Sequence, residues 1–564
     1  MKKIKRVVPI ILVACMLFIA SCNKPSADPA VSDNTQQTAA QQSPAQQSPA
    51  PPPPPAPATT GIIEASVPEE NANLADHINL IMDTQLTVFN LTMPAGSGNP
   101  NAWAHNLVHD RLVSQESPGV LAPELALRWE TDDYKTFRFY LREDAYFDNG
   151  DPFTAEDVVF TANIGKEFVG SPAQVRWRSV DKITAIDKYV VEMVLNEVYT
   201  DFLFDLTSYT ASILNERSYN ENPDDPSWAW VGTGPYRVVD FATNDFITLE
   251  RVEDWREGPA LTRSITFWTI PEMATRAVML QNGQAQLSFS MTPEDLDMFN
   301  ADPDFQVFIV QNNPPVVLGF NNQGDAIMMD LNFRKAVAHA LNTDDISLVA
   351  NGAWGIPPPD GNVWGLIAQY RLEGLPRYEY DPVKAKEYLD LSVYNGEVLE
   401  IMTTQPANIR AAELIQLQLA DIGVDVKVEI MDQAAFVGAH TFDPESTRQM
   451  HIFTGGPGVM ALYNFNLHYY PGSQTNRINY SDPYITKLID DLAAETDEDT
   501  RREMTYEAQR YFWETLPSIP LWFSLYGRPA VNGLGGIKFN PDSFANNLRG
   551  IYWDLDETPA HLRP

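Results

Sequence analysis

The chain has 564 residues, with 75 acidic against 39 basic side chains, a formal charge of −36 and only two cysteines. So acidic a surface disfavours nucleic acid and anionic lipid as direct partners, because both repel it. The cysteine count leaves no disulfide-built scaffold and no cysteine-ligated metal centre, and the length suits two or three lobes with sizeable apolar cores.

Residues 1–22 read as a leader. Lys2, Lys3, Lys5 and Arg6 precede an apolar run from Val7 to Ala20, which is short and wrongly flanked for a membrane span. The run closes on Ile19-Ala20-Ser21-Cys22, which resembles a bacterial lipobox. That resemblance implies that Cys22 is lipidated and begins the mature chain; an ordinary secretory leader with an incidental cysteine would carry the same residues. Cys15 leaves with the leader, so no internal disulfide is expected. Residues 23–61 are Pro/Gln/Ala-rich, with five consecutive prolines from Pro51, and are expected to be a disordered, extended spacer.

The body begins with β character over 77–91. A helix follows from Asn99, with Asn99 as N-cap and Pro100 at the first turn. His105 and His109 are four apart on it, a spacing that can bind metal, but no HExxH pattern or third ligand accompanies them; a structural or surface role is expected. From Leu121 to Glu167 the pattern is strand, turn, strand, turn, helix. Phe137, Phe139 and Leu141 alternate with Arg138, Tyr140 and Arg142, the period of a half-buried strand. Asp148-Asn149-Gly150 is turn chemistry. Thr154 with Asp157 three residues on reads as a capping box.

The run Trp129-Glu130, Phe137-Arg138-Phe139, Leu141-Arg142, Phe147, Gly150, Thr154-Ala155-Glu156-Asp157-Val158 resembles the signature of the family 5 extracellular solute-binding proteins, the oligopeptide-, dipeptide- and nickel-binding subunits of ABC importers. Further family-like segments are Gly232-Thr233-Gly234-Pro235-Tyr236, Asp254-Trp255, Phe320-Asn321-Asn322, Asn332 to Val337, and the closing strand at Leu516 to Leu521. The resemblance implies an α/β fold like that of class II, cluster C periplasmic binding proteins, with two main lobes on a hinge and an extra inserted lobe. Lobe I would be discontinuous over 62–100, 230–314 and 525–564. Lobe II would be 101–229 and lobe III 315–524, closing over a solute.

The remaining elements agree with an α/β body. Trp177 to Leu195 continues the β-rich lobe. Thr292-Pro293-Glu294-Asp295 starts a helix. Phe333, Val337, Ala340 and Leu341 mark a buried helix face. Leu399 to Met402, Ile409 to Ile422, Gly423 and the alternating Val424, Val426, Val428 and Ile430 make a parallel βαβ unit. Ser481-Asp482-Pro483 opens another helix, and Arg501 to Trp513 is helical. The lone Gly-Thr-Gly at 232–234 is not a nucleotide fingerprint.

No catalytic constellation has convincing spacing: GxSxG, the phosphate loop and HExxH are absent from the sequence, and no enzyme activity, cofactor or metal is expected. The resemblance implies capture of a small solute, delivery to ABC permease and ATPase subunits, attachment to the outside of a bacterial membrane through lipid alone, and a monomer. In the family's peptide binders an aspartate in lobe III holds the peptide amine. The matching stretch here, His451 to Met460, has no acidic residue, so an oligosaccharide or another polar solute stands beside peptide. A surface hydrolase and a sensor or adhesin lipoprotein are also compatible with the sequence. Gly455 and Gly456 offer open backbone N–H groups to a solute, or make a plain turn. Trp230, Trp354, Trp364 and Tyr463 are candidate stacking rings, and Asn464 a polar contact. Phe89, Asn90 and Phe320 complete the candidate ligand set.

Overall fold

The computed structural model describes residues 66–564 except 71, 84–85, 87–88, 93–98, 118, 169–170, 312–313, 363–369, 433–434, 437, 439–442, 444–446, 455–460, 474 and 540–546. The leader, Cys22 and the whole 23–61 spacer lie outside the described residues, as do Trp364, Gly455 and Gly456.

Twelve strands share one sheet. Its hydrogen-bonded path runs Val426–Ile430, Leu399–Thr403, Met450–Thr454, Val316–Phe320, Ser518–Val531, Leu287–Ser288, His77–Met82, Ser264–Thr269, Phe246–Arg251 and Tyr236–Ala242. Phe305–Gln311 and Gly355–Ile356 also pair with Ser518–Val531. The strand Ser518–Val531 is the organiser. Its first half pairs with Val316–Phe320 (Gly319 opposite Ser518) and its second half with Phe305–Gln311 (Gln311 opposite Leu525, Phe305 opposite Val531).

Two large apolar cores sit on this sheet. One gathers Leu80, Phe267, Leu287, Val310, Ala530 and Val531; the other gathers Leu318, Phe320, Phe333, Ile415, Ile519 and Trp522. The chain therefore passes from one core to the other between Gln311 and Val316, and again within Ser518–Val531. The βαβ unit reads as expected. Leu399–Thr403 and Val426–Ile430 are parallel, with Leu399 opposite Val426, and the helix Pro406–Ile422 ends on Gly423 at φ 91°, the left-handed conformation that suits glycine. The alternation fades at Ile430, which is 60% exposed, because its strand is the sheet's edge.

A third core fills a separate antiparallel sheet ordered Ala126–Glu130, Thr136–Leu141, Val190–Leu195, Val180–Asp187. Phe137, Phe139 and Leu141 point into it as their spacing predicts. The helix Ala155–Glu167 covers it, and the Thr154 backbone N–H donates to Asp157 Oδ2 at 2.9 Å, closing the capping box. One expectation changes: Trp177 ends a short helix, Pro172–Trp177, before the strands begin. Ser171 caps that helix by accepting from the Gln174 N–H. The Trp177 indole is then buried against Gly165, where a Cβ would lie 2.6 Å from its ring.

The Gly-Thr-Gly segment is a packing seam. A Cβ on Gly232 would lie 2.0 Å from the Val108 carbonyl oxygen, and one on Gly234 would lie 2.4 Å from that of Leu107. The Gly234 N–H donates to Val108 O at 2.8 Å. Backbone meets backbone here, so no side chain can yield. Gly232→Ala is expected to cost about 3 kcal/mol, read as a lowered urea midpoint; an unchanged midpoint would show that the seam can open.

Candidate functional site

Arg528 is the single charged residue between Leu516 and Ile537. It lies on Ser518–Val531, opposite Phe308 and just beyond the stretch that joins the two cores. The alternation of that strand sends its side chain into an aromatic enclosure. The guanidinium carbon stands 4.3 Å from the Phe539 ring centre and 5.2 Å from that of Trp103. Trp103 stacks on Phe289 at 4.4 Å and meets Phe539 edge-on at 5.9 Å, and Phe308 meets Phe539 edge-on at 5.4 Å. The residue is 9% exposed, and its Nε and Nη1 are buried with no hydrogen-bond partner. Burial pulls the guanidinium down to about 10.

An unpaired ion costs several kcal/mol to bury. Cation–π attraction returns about 2 kcal/mol in a desolvated site. The enclosure therefore holds a charge that no described residue neutralises.

A second cation without an ion pair among the described residues lies beside a smaller apolar cluster that contains Phe453. Arg477 lies with its guanidinium 5.8 Å from the centre of the Phe453 ring, and no carboxylate among the described residues pairs with it. Burial lowers its pKa. Phe453 stacks on His451 at 4.8 Å and sits opposite Val317, one residue before Met450–Thr454 ends. That strand leads straight into 455–460.

A third cluster is fully paired and fixes geometry. Asp110, wholly buried, accepts from Arg256 Nη1 at 2.7 Å, Arg549 Nη2 at 2.5 Å and Thr233 Oγ1 at 2.8 Å. Arg549 also reaches Glu124 at 3.0 Å, and Glu124 holds Arg111 at 3.0 Å. This network borders a polar cavity of about 270 Å³ lined in part by Arg111, Glu124, Arg142 and Lys538, and it clamps the Gly-Thr-Gly seam to the segment that follows the helix Asn99–Val108.

The residues selected from the sequence are dispersed. Phe89 is buried with its ring stacked on His105 at 3.9 Å. Asn90 Oδ1 accepts from the Thr92 backbone N–H at 2.9 Å and the Thr92 hydroxyl at 2.7 Å. Trp230 is half-buried, edge-on to Phe241 at 5.6 Å. Phe320 is enclosed in the second core. Trp354 packs with Leu296 and Leu525 while its indole N–H donates to Asp297 at 2.9 Å. Asn464 is buried on the helix Ala461–His468, which also carries Tyr463. Internal packing or hydrogen bonding accounts for the placement of Phe89, Asn90, Phe320 and Trp354.

His105 and His109 are both fully buried, so a surface role for them falls away. Their Nδ1 atoms are 3.2 Å apart, and His109 Nε2 lies 3.0 Å from Ala229 O. That carbonyl only accepts, so His109 carries its proton on Nε2 and His105 donates from Nδ1. His105 Nε2 is left buried without a partner.

Arg528 and Arg477 were missed because their surroundings come from distant positions: Trp103 and Phe539 for one, Phe453 for the other. The signal on offer was a lone charge inside an otherwise uncharged closing strand. Among the described residues no helix is long and apolar enough to cross a membrane, and no group of three or more His, Cys, Asp or Glu could hold a metal ion.

Residues 120–476 match the model for the bacterial extracellular solute-binding proteins, family 5 Middle. The chain is 28% identical to the nickel-binding periplasmic protein of Escherichia coli (strain K12) over 431 residues, 72% of this chain and 81% of that one. It is 25% identical to the glutathione-binding protein GsiB of Shigella flexneri serotype 5b over 436 residues, 73% of this chain and 82% of that one. Its fold matches the ABC transporter-associated periplasmic binding protein DppA of Helicobacter pylori, solved in complex with peptide STSA, at a TM-score of 0.70 with 21% identity, covering 85% of this chain and 98% of that one. A family model spanning well over half the chain, together with the multi-lobed class II fold, places this protein in family 5 of the bacterial extracellular solute-binding proteins, which work with ABC importers.

Proposed function

We propose that this chain is the extracytoplasmic receiving subunit of an ABC importer, anchored to a bacterial membrane by lipid on Cys22 and held off it by the 23–61 spacer. The observation that supports this reading is the pair of passages between the two main cores, one between Gln311 and Val316 and one within Ser518–Val531, the strands on both sides of the first being paired with the strand that carries the second. Two neighbouring passages define a bending axis. A solute touching both sides shifts the open–closed balance by its difference in affinity for the two states. Lobe I then comprises 62–100, 230–314 and 525–564, lobe II 101–229, and lobe III 315–524. The closed, loaded monomer docks on a permease, and separate subunits hydrolyse ATP.

Nickel, glutathione and a peptide in the names and titles of the similar proteins frame the solute as small and polar. Peptide or a peptide-like compound is the first class to test. The described strand Met450–Thr454 carries no acid to hold an α-amine, so recognition of the amine differs from that of the family's peptide binders.

The test joins location to transport. Cys22→Ala is expected to abolish incorporation of labelled palmitate and to move the protein from the membrane fraction to the soluble one. Deletion of the protein is expected to stop uptake of the solute released from natively purified material. Stoichiometric recovery of that solute unchanged supports binding; its conversion on incubation would overturn the reading in favour of a hydrolase.

A further inference from the structure

The buried and half-buried arginines elsewhere in the fold set the standard for Arg528. Arg256 and Arg549 share Asp110, Arg501 pairs with Asp201 at 2.6 Å, and Arg111 pairs with Glu124. Arg276 donates to the carbonyls of Ile270 and Pro271, and Arg334 donates to Asn322 Oδ1 and Met329 O. Among the described residues, Arg528 is the member of this group for which no acceptor is found. It lies in a chain whose acidic residues outnumber the basic ones by 75 to 39, so a carboxylate partner could readily have been supplied from within.

We propose that the enclosure of Arg528, Trp103 and Phe539 is the subsite for a carboxylate of the captured solute, and that the solute is therefore an acid with an apolar or planar group next to that carboxylate. The inference rests on the solute-binding reading above and specifies its ligand class. Three features fit. The buried donors Nε and Nη1 are charged, and charged donors hold a carboxylate in short hydrogen bonds. The rings exclude water, which strengthens the ion pair once formed. The position beside the passage between the cores lets an occupied subsite act on the bending axis. The aromatic walls would hold the planar flank of the ligand against Trp103. A neutral oligosaccharide would leave the guanidinium unmet.

The inference separates a binding role from a structural one by the sign of a stability change. A cation held only for its ring contacts stabilises the empty protein. A cation awaiting an anion destabilises it. Arg528→Met, which keeps an unbranched apolar stem and removes the charged guanidinium, is expected to raise the Tm of the ligand-free protein. The binding arm uses a tryptic digest of casein in two forms, untreated and methyl-esterified, offered to the full-length protein and read by ultrafiltration and mass spectrometry. Wild type is expected to retain free-acid species at least tenfold over their esters. Arg528→Met is expected to lose that retention at least tenfold, and Arg528→Lys to keep part of it. A lower Tm for Arg528→Met, equal retention of acid and ester, or undiminished binding by the variant overturns the subsite. Equal retention by wild type and variant would remove the subsite and leave the binding function standing; retention of neither form by wild type would remove both.

Discussion

Asp110→Asn is expected to destabilise the folded protein by about 3–5 kcal/mol, the range for breaking a buried ion pair from one side. Asp110 is wholly enclosed and serves two guanidiniums and a hydroxyl at once. Burial by itself pushes its carboxyl up, but Arg549 and Arg256 more than reverse this and hold it down to about 2. A carboxylate depressed in this way stabilises the fold above the unfolded value near 4, and the contribution is lost as pH falls through about 2. The asparagine keeps the shape and one acceptor but removes the charge, leaving Arg111 and Arg549 on Glu124 and Arg256 with only the more distant, exposed Glu257 at 3.7 Å. The measurement is urea unfolding of wild type and variant at neutral pH. A cost under about 1 kcal/mol would mean that water or Glu257 takes over. Adding Arg256→Met to Asp110→Asn is expected to recover part of the loss, because the double change removes an uncompensated ion; a double variant no better than the single would contradict this account.

The second large effect concerns acid. His109 is pushed down to about 4, first by burial, and His105 is pushed well below 6.5 by burial and by its neighbour His109. Both fold as neutral rings, as their hydrogen-bond pattern requires. Below pH 6.5 the unfolded chain takes up protons that these rings refuse, so their contribution is complete above 6.5 and declines as pH falls toward the folded values. Each such histidine costs about 1.4 kcal/mol per pH unit across that window; for His109 this amounts to about 3 kcal/mol by pH 4. Asp148, pushed up to about 7 by burial, acts with the opposite sign, so total stability does not isolate the pair. The comparison with His105→Phe does. Phenylalanine keeps the stack on Phe89 and cannot titrate. Relative to wild type, the variant is expected to gain about 1.4 kcal/mol for each pH unit below 6.5. Parallel pH profiles would show that the pair protonates in the folded state.

The sequence showed its local features well because their causes are local. The Phe137-Phe139-Leu141 alternation, the Thr154–Asp157 box, the glycine after Ile422 and the helix starts at Thr292-Pro293 and Ser481-Asp482-Pro483 each depend on a few adjacent residues, and each appears as read. Trp177 was misplaced because its helix has only six residues, too short for a periodic signal. The site was far less legible. Ring-forming and turn-forming residues can be picked out by type, but Phe320 and Trp354 satisfy the same type rules inside a core as they would in a cleft. Arg528 leaves one clue in the sequence, a lone charge in an otherwise uncharged closing strand, but that no described residue meets its Nε and Nη1 shows only in the fold. That absence is a property of three-dimensional packing, and no spacing along the chain encodes it.

The long strand Ser518–Val531 also constrains how this protein can be made. Its partners, from Leu287 and Phe305 to Val316 and Phe320, are synthesised early and wait for a segment near the end of the chain. Until that segment arrives, both large cores lack a central strand, and their sheet edges and apolar faces stay open. Contacts so distant in sequence close slowly and leave exposed edges in the interval. Truncation before Ser518 would therefore leave neither of these two cores complete, whereas the third core, built from residues 112–213, needs nothing from that strand.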